Sequence, residues 1–600
     1  MEKINAVILD IDYITHNDKP VIRIFAKENH EGNVREIIAL DDSFEPYVYI
    51  LSSEFNNDIE KELKEDFDII KIEKVNKKDF QVEKEFLKAT FKHPQDVAKH
   101  REAIRTLDYV TDIREADIPF YRRYLIDNDI IPMDEVELSG TILDSFETIK
   151  TDNKSLKIIK LDKSPKKIEN TNQDFRILSF DLEVRNPKGM PDSKKDEIIM
   201  IGISSNFGIE KVISTKNKVG DSNNSFIEQV SNEKEMIETF KKYVKDYNVD
   251  IIVGYNSDNF DFPYLKDRAK ILDVDLDLGV DGSSLKFIRR GYANAAAIRG
   301  LIHVDLYLVM RRYMTLDRYT LERVYLELFD EEKIDVPGDK IWEYWDSDSD
   351  DLNRLFDYSL DDVIATIKIA EQILPLNLEL TKIVGQPLFD LSRMATGQQA
   401  EWYLVKEAYK SNEVVPNKPA GLEFARRPDN EGGYVKEPEK GLHENLVQFD
   451  FRSLYPSIII SKNISPDVMV SGDVGDDLDN YHISPEHNYK FKKEPQGFIP
   501  AVIGNVLNER LRIKTLMKET NDKTSRKSYD VQQQALKRLA NTMYGIYGFA
   551  RFRWYSFECA QAITAWGREY IKDAMKKAED YGFKTIYADT DGFYVKFIKK

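Results

Sequence analysis

One short stretch constrains this chain more than any other: Tyr587-Ala588-Asp589-Thr590-Asp591-Gly592, set between Lys584-Thr585-Ile586 and Phe593-Tyr594-Val595. Two β-rich arms around an Asp-Gly pair predict a hairpin. Its turn holds Asp589 and Asp591, two residues apart and able to face one side. Alone, this is also how an ordinary turn is written, because Asp-Gly is a common turn dipeptide. A second stretch changes its meaning. In Val447-Gln448-Phe449-Asp450-Phe451, residues 447, 449 and 451 are apolar and predict a buried face, with Asp450 on the other face. If the two strands are neighbours, Asp450, Asp589 and Asp591 converge. Like charges about 4 Å apart repel by ~4 kcal/mol at an effective dielectric of about 20, so the cluster calls for a counter-cation. Hard oxygen donors favour Mg²⁺, held by one or two carboxylates plus substrate phosphates. Two such ions about 4 Å apart clamp the attacking and leaving oxygens of a phosphoryl transfer. The expectation is a two-metal nucleotidyl-transfer site.

Six hundred residues exceed a single core and predict about four domains. With 42% apolar and 32% charged residues the composition is that of a soluble globular protein. There is no run of 18 apolar residues and no charged-then-apolar N-terminal segment, so no membrane partner and a cytoplasmic location are expected. The single cysteine, Cys559, rules out an internal disulfide and fits a reducing compartment. A formal net charge of −19 does not exclude nucleic acid, because binding follows local basic grooves. It does place some DNA-gripping surface on a partner.

Residues 1–140 read as short alternating strands, and 141–172, polar and Lys/Asn-rich, as a linker or surface insertion. Strands and helices then alternate through 173–373, an α/β pattern. Amphipathic stretches at about 500–519 and 528–545, joined by Asn521-Asp522-Lys523-Thr524, predict a helical hairpin. The tract Asp346-Ser347-Asp348-Ser349-Asp350-Asp351 has Asp where a calcium loop needs Gly, and reads as a solvated loop capping the next helix.

A second set of carboxylates lies in the α/β region. Leu178-Ser179-Phe180-Asp181-Leu182-Glu183-Val184 alternates strictly, so Asp181 and Glu183 share the face opposite the apolar even positions. An ordinary amphipathic strand explains this equally well. Two further segments add weight: Ile251-Ile252-Val253-Gly254-Tyr255-Asn256 runs into a turn that ends with Asp261 at a helix start, and Tyr358 and Asp362 stand i, i+4 on a predicted helix. Four carboxylates and a tyrosine suit hydrolysis of a phosphodiester with two metals bound and Tyr358 orienting the water.

A third constellation is basic. Lys537, Asn541 and Tyr544 fall at i, i+4, i+7, with Leu536, Leu539 and Met543 elsewhere for packing. Arg510 and Lys514 stand i, i+4 on the preceding helix. Antiparallel packing turns both stripes toward a triphosphate, Arg by a forked bond and Lys as a point charge. A solvated charged face is the alternative reading.

Taken together these residues resemble an archaeal family-B DNA polymerase, along the whole chain. Asp450-Phe451-Arg452-Ser453-Leu454-Tyr455-Pro456-Ser457 resembles polymerase motif A, residues 537–545 motif B and residues 587–592 motif C. Asp181-x-Glu183, Asn256 with Asp261, and Tyr358-x-x-x-Asp362 resemble the three proofreading exonuclease motifs in order. Asp117-Ile118-Pro119-Phe120 and Gly385-Gln386-Pro387-Leu388 carry the archaeal likeness.

The resemblance implies a multidomain α/β and α+β chain with a ribonuclease-H-like exonuclease domain, an antiparallel palm sheet and two-helix fingers. By residue it implies an N-terminal uracil-sensing domain at 1–140, with 374–415 returning to it, and an exonuclease domain at 173–373. The palm would take 416–495 and 546–600, and the fingers 496–545. Asp450 and Asp591 should hold two Mg²⁺ ions, with Asp589 beside them; Asp181, Glu183, Asp261 and Asp362 should hold two more, Mn²⁺ being an alternative. Tyr455 should be the steric gate against a ribose 2′-hydroxyl, and Lys537, Asn541, Arg510, Tyr544 and, more weakly, Lys514 should bind the dNTP. A template-uracil pocket is implied at Tyr13, Pro46, Tyr47, Val97, Ile118, Phe120 and Arg123, where an ordinary β-domain core is the alternative.

Two departures from the family pattern stand out. Asn430 replaces the usual Tyr before the paired glycines, which bears on the balance of synthesis and editing. The chain stops at Lys600, just after motif C, so the thumb is expected to be absent and the last strand, 593–598, a bare apolar sheet element. The expectation is the large subunit of a split polymerase whose smaller partner adds the thumb, and through it a sliding clamp, to primer-template and dNTPs. An exonuclease-only protein and a non-catalytic uracil-sensing scaffold are the rivals. Retention of Asp450, Asp591, Lys537 and Tyr455 weighs against both.

Overall fold

The computed structural model describes residues 2–30, 33–151, 153, 155–168, 174–220, 225–290, 293–347, 349–419, 431–472 and 478–598. The chain divides into two compact units, Met1–Phe44 with Pro119–Ala395 and Glu45–Ile118 with Thr396–Lys600. Residues 1–140, expected as one N-terminal domain, are therefore shared between the units, and the returning segment 374–415 is divided at 395.

In the first unit, strands Glu2–His16, Lys19–His30, Asn33–Asp41, Lys157–Leu161 and Glu135–Leu143 follow one another, and the last pairs back with the first. That closure buries alternate residues such as Ile4, Ala6, Ile8, Ile22, Ile24 and Ile37 in one core. Within 141–172, expected as a linker or surface insertion, Lys157–Leu161 is an internal strand with Ile158 and Ile159 buried, and Lys166–Lys167 pairs at the margin. Lys157-Ile158-Ile159-Lys160-Leu161 already carried an apolar core, masked by the lysines around it.

A second sheet of this unit runs Ile227–Gln229, Glu210–Ser214, Ile198–Ser205, Ile177–Val184, Ile251–Gly254, Ile302–Asp305. It is mixed: Ile177–Val184 lies antiparallel to Ile198–Ser205 and parallel to Ile251–Gly254. Helices Glu233–Asp246 and Asp261–Ile271 fill one face around Phe180, Phe240 and Phe262. The 35-residue helix Asp350–Val384, N-capped by Ser349 as the acidic tract predicted, fills the other beside Ile177, Ile251 and Val304.

In the second unit, Ile69–Asp79, Val82–Phe91, Tyr47–Ser52 and Val110–Arg114 form an antiparallel sheet covered by helices Asn57–Asp66 and Pro94–Arg105. Another antiparallel sheet runs Val435–Lys436, Phe583–Asp589, Gly592–Phe597, Leu446–Asp450. Helix Phe557–Asp580 packs Ile571 and Met575 on its Ala588, Phe593 and Val595, and buries Cys559 completely. Phe498–Glu519 and Lys523–Gly548 form the predicted helical hairpin, the second helix starting earlier than expected because Asp522 caps it.

Two expectations are corrected here. The strand Gly592–Phe597 is not bare but paired on both sides, and among the described residues the sheet's margins are Leu446–Asp450 and the short Val435–Lys436. The predicted buried face of Leu446–Asp450 is exposed, Val447 by 43% and Phe449 by 42%, because the covering helix seats on the two central strands. No helix among the described residues is long and apolar enough to cross a membrane.

Candidate active sites

The strand Ile177–Val184 sends Phe180 and Leu182 into the core under the sheet and turns Asp181 and Glu183 toward the long helix. Contact on that face is intimate. The Ser179 hydroxyl donates to the Val363 carbonyl at 2.8 Å, and a Cβ on Gly202 would meet the Ser359 carbonyl oxygen at 2.9 Å. Tyr358 and Asp362, one turn apart on the long helix, are thereby laid beside Asp181 and Glu183. One carboxylate oxygen from each of Asp181, Glu183 and Asp362 lies within 4.8 Å of the others.

Asp261 reaches the same place as the first residue of its helix, after a turn in which Asn256 takes the left-handed conformation at φ 67°. It stands outside the tight group of three yet close enough to push up the Asp181 carboxyl. Burial, followed by the neighbouring carboxylates, raises Asp181 and Glu183 well above the ordinary carboxylate range. Burial likewise pushes Asp261 up to about 7 and Asp362 up to about 6. Burial and the three carboxylates around it drive the Tyr358 phenol upward too, so it stays a protonated donor. Glu183 Oε1 and Asp261 Oδ1 are buried without a hydrogen-bond partner. A largely buried set of hard oxygen donors that repel one another and include two orphaned atoms fits a divalent cation.

Sequence reasoning missed Lys333. Its side chain is 1% exposed, paired with Asp362, 3.7 Å from Glu322, and 4.6 Å above the Tyr358 ring. Burial alone would lower its ammonium, but Asp362 and Glu322 hold it above the usual lysine range. In Asp330-Glu331-Glu332-Lys333 it reads as solvated charge, and no local signal marks it.

The second site lies on the antiparallel sheet of the other unit. Asp589 pairs with Gly592 across the hairpin, and Gly592 pairs on its far side with Asp450. Two carboxylates on the strands either side thus flank a position without a side chain. A Cβ on Gly592 would meet Asp450 Oδ2 at 3.3 Å, so glycine keeps the space open. The turn itself is Thr590-Asp591, with Thr590 at φ 53°, and Gly592 opens the second strand rather than completing the turn. The Phe451 amide donates to the Asp591 carbonyl at 2.7 Å, tying the turn to the end of the Asp450 strand. Burial, then Asp450, then Asp589 raise the Asp591 carboxyl, which places the three acids in one field. They are more widely spaced than the Asp181 group.

Tyr455, on helix Leu454–Ser461, stands beside these acids. Its ring lies 4.5 Å from that of Tyr544 and against Gly567, where a Cβ would come within 3.0 Å of it. Burial, Tyr544 and Asp591 push its hydroxyl up to about 12. On the helical hairpin Leu536, Leu539 and Met543 are buried as expected, and Lys537 and Asn541 are exposed. Arg510 is half-buried, its Nε 3.4 Å from Gln533 Oε1, and burial and Arg452 lower its guanidinium. Arg510, Arg452, Lys518 and Lys537 lower Lys514. Mutually repelling cations of this kind fit a polyanion, and Arg452 joins the expected set.

The residues expected in a uracil pocket are described unit by unit. In the first, Tyr13 meets Phe120 edge-on at 5.3 Å and Arg123 is buried. In the second, Tyr47 and Val97 are buried, Ile118 is half-buried, and the Pro46 carbonyl accepts from the Phe91 amide at 2.8 Å. Asn430 lies outside the described residues, but its neighbour Gly433 presses on Thr590, where a Cβ would come within 2.8 Å of Oγ1.

Comparison with known proteins gives a consistent result. Residues 111–324 match the family described as DNA polymerase family B, exonuclease domain, and residues 391–600 match DNA polymerase family B. A DNA polymerase of Thermococcus gorgonarius is 41% identical over 596 residues, 98% of this chain and 70% of that protein. One of Pyrococcus glycovorans is 42% identical over 597 residues, with the same shares. The solved structure of the family B DNA polymerase from Pyrobaculum calidifontis superposes with a TM-score of 0.85 at 30% identity, covering 99% of this chain and 75% of that one.

Proposed function

The chain belongs to the family-B DNA polymerases, DNA-directed enzymes with a 3′→5′ exonuclease domain, and we propose that the two sites above divide synthesis and editing between them. Synthesis is assigned to Asp450, Asp589 and Asp591, and editing to Asp181, Glu183, Asp261 and Asp362. The observation that carries the first assignment is the row Asp450, Gly592, Asp589 across three adjacent strands, which opens a side-chain-free gap between two carboxylates.

In synthesis, the primer 3′-hydroxyl attacks the α-phosphate of a dNTP and pyrophosphate leaves. Lys537, Arg510, Arg452 and Lys514 bind the triphosphate by charge, and Asn541 and Tyr544 continue that stripe. Tyr455, wedged between Tyr544 and Gly567, closes the space a 2′-hydroxyl would need. In editing, Tyr358 donates to and orients the attacking water, and Lys333 holds Asp362 in place while offering positive charge to the scissile phosphate. Both carboxylate sets would hold divalent ions, two per site and Mg²⁺ by preference with Mn²⁺ as a substitute, which supply charge neutralisation and alignment for in-line transfer.

A template-uracil pocket stays part of this reading on the strength of the family resemblance alone. The exposed edge strand adds a partner. Phe449, Ala574, Ala578, Tyr581, Phe583 and Phe593 line an apolar groove of about 400 Å³ beside it. A further polypeptide segment that adds a strand at Leu446–Asp450 and fills this groove suits the surface. We assign it to a separate, smaller polypeptide. A chain that stays monomeric in host extract by size-exclusion and extends primers unaided would overturn that assignment.

Asp450→Ala tests the division of labour. Primer extension should fall by about 10³-fold or more while degradation of a single-stranded 3′ end stays within about twofold. Unchanged extension would sink the proposal.

A further inference from the structure

The segment Gly385-Gln386-Pro387-Leu388 ends the long helix that carries Tyr358 and Asp362, with Gly385 at φ 74° as its cap. Eight residues past that cap, Arg393 is buried and turned back on the sheet. Its Nε and Nη2 fork onto the two oxygens of Asp258 at 2.9 and 3.0 Å, and Nη1 donates to the His303 carbonyl at 3.0 Å. Asp258 is itself wholly buried and accepts the Ala296 amide at 2.8 Å. It sits midway in the turn Asn256-Ser257-Asp258-Asn259-Phe260-Asp261, three residues before the carboxylate that completes the editing site.

That turn is strained at Asn256, and a strained backbone persists only where its surroundings over-determine it. Asp305 and Arg393 do so, beside His303, whose Nε2 lies 2.8 Å from the Ser257 hydroxyl. Asp305 accepts the amides of Asn256 and Asp258 at 2.9 and 3.1 Å, fixing the start of the turn, and Arg393 grips its middle through Asp258. Arg393 is held in turn, because Arg312 donates to its carbonyl at 2.9 Å. The segment that caps the Asp362 helix therefore also clasps the Asp261 turn. We infer that Arg393 is a positioning residue for the exonuclease reaction, setting Asp261 against Asp181, Glu183 and Asp362 through its forked grip on Asp258. The inference rests on the assignment of editing to that cluster.

The test uses the full chain with a single-stranded oligonucleotide as substrate, and Mn²⁺ binding, followed by electron paramagnetic resonance, to the DNA-free chain carrying Asp450→Ala and Asp591→Ala so that the editing cluster alone is read. Arg393→Met removes the fork, Arg393→Lys keeps the charge without it, and Asp258→Asn with Arg393→Met removes both charges so that no buried carboxylate is left unpaired. The double variant should melt within a few degrees of the wild type, yet its exonuclease kcat should stay at least about 30-fold down with KM within about twofold. Its Mn²⁺ binding midpoint should rise several-fold. If Arg393→Met does not fold, Arg393→Lys and the double variant carry the comparison. Folded variants with kcat within threefold of the wild type, or with lowered kcat and an unmoved Mn²⁺ midpoint, would overturn the inference. A wild type that binds Mn²⁺ but degrades no 3′ end would instead overturn the editing assignment itself.

Discussion

Asp261→Asn should stabilise the chelator-treated protein at neutral pH and destabilise it, relative to the wild type, once divalent ions are restored. The carboxyl rises from 3.8 to about 7 on folding, chiefly through burial. A group raised in this way binds more protons folded than unfolded between those values, so stability falls as pH climbs from about 4 to about 7. At about 1.4 kcal/mol per pKa unit, the raised carboxyl costs about 4 kcal/mol at pH 7.5, against roughly 1–2 kcal/mol at pH 5. The asparagine amide brings donors that cost roughly 1–3 kcal/mol at any pH. The quantity to read is therefore the slope: the variant should gain roughly 2–3 kcal/mol on the wild type between pH 5 and pH 7.5. Calorimetric or denaturant unfolding in EDTA measures this. Divalent ion at about 100 times its dissociation constant should then add about 2.7 kcal/mol to the wild type and less to the variant. A stability difference that stays flat from pH 5 to pH 7.5 would refute the electrostatic account of the cluster.

Other perturbations follow from the same geometry. Lys333→Met leaves Asp362 without its buried counter-charge and should lower exonuclease kcat by about 10²-fold with primer extension unchanged, read as single-turnover rates on matched oligonucleotides. Gly592→Ala puts a methyl 3.3 Å from Asp450 Oδ2, and should cut extension by about tenfold while sparing the exonuclease, since that site lies in the other unit. Extension on a uracil-containing template should stall short of the uracil. Equal passage of uracil and thymine would remove the pocket from the proposal.

Periodicity carried much of both sites. Phe180 and Leu182 point one way and Asp181 and Glu183 the other, as strict alternation requires, and Asp261 begins its helix where the turn chemistry put it. The stripe of Lys537 and Asn541 opposite Leu536, Leu539 and Met543 followed from helical spacing alone. What escaped was set by contacts far along the chain. Lys333 is buried because Glu322 and Asp362 converge on it, and nothing adjacent distinguishes it from the solvated charges of its tract. Val447 and Phe449 alternate like buried residues and share the face of Val595 and Phe593, but apolar alternation cannot say how far across a sheet a covering helix will reach. The grouping of 45–118 with 396–600 is a property of packing between distant segments, to which local pattern is blind. Lys157–Leu161 was legible and was hidden only by its flanking lysines.

Cys559 has a practical value unrelated to catalysis. The chain carries no other sulfhydryl, and this one is sealed inside helix Phe557–Asp580, its thiol pushed up by burial and slow to form the reactive thiolate. Maleimide dyes should therefore ignore the native protein and mark a surface cysteine placed at will. A donor on the helical hairpin and an acceptor on the neighbouring sheet would then read any change in their separation during turnover without background to subtract.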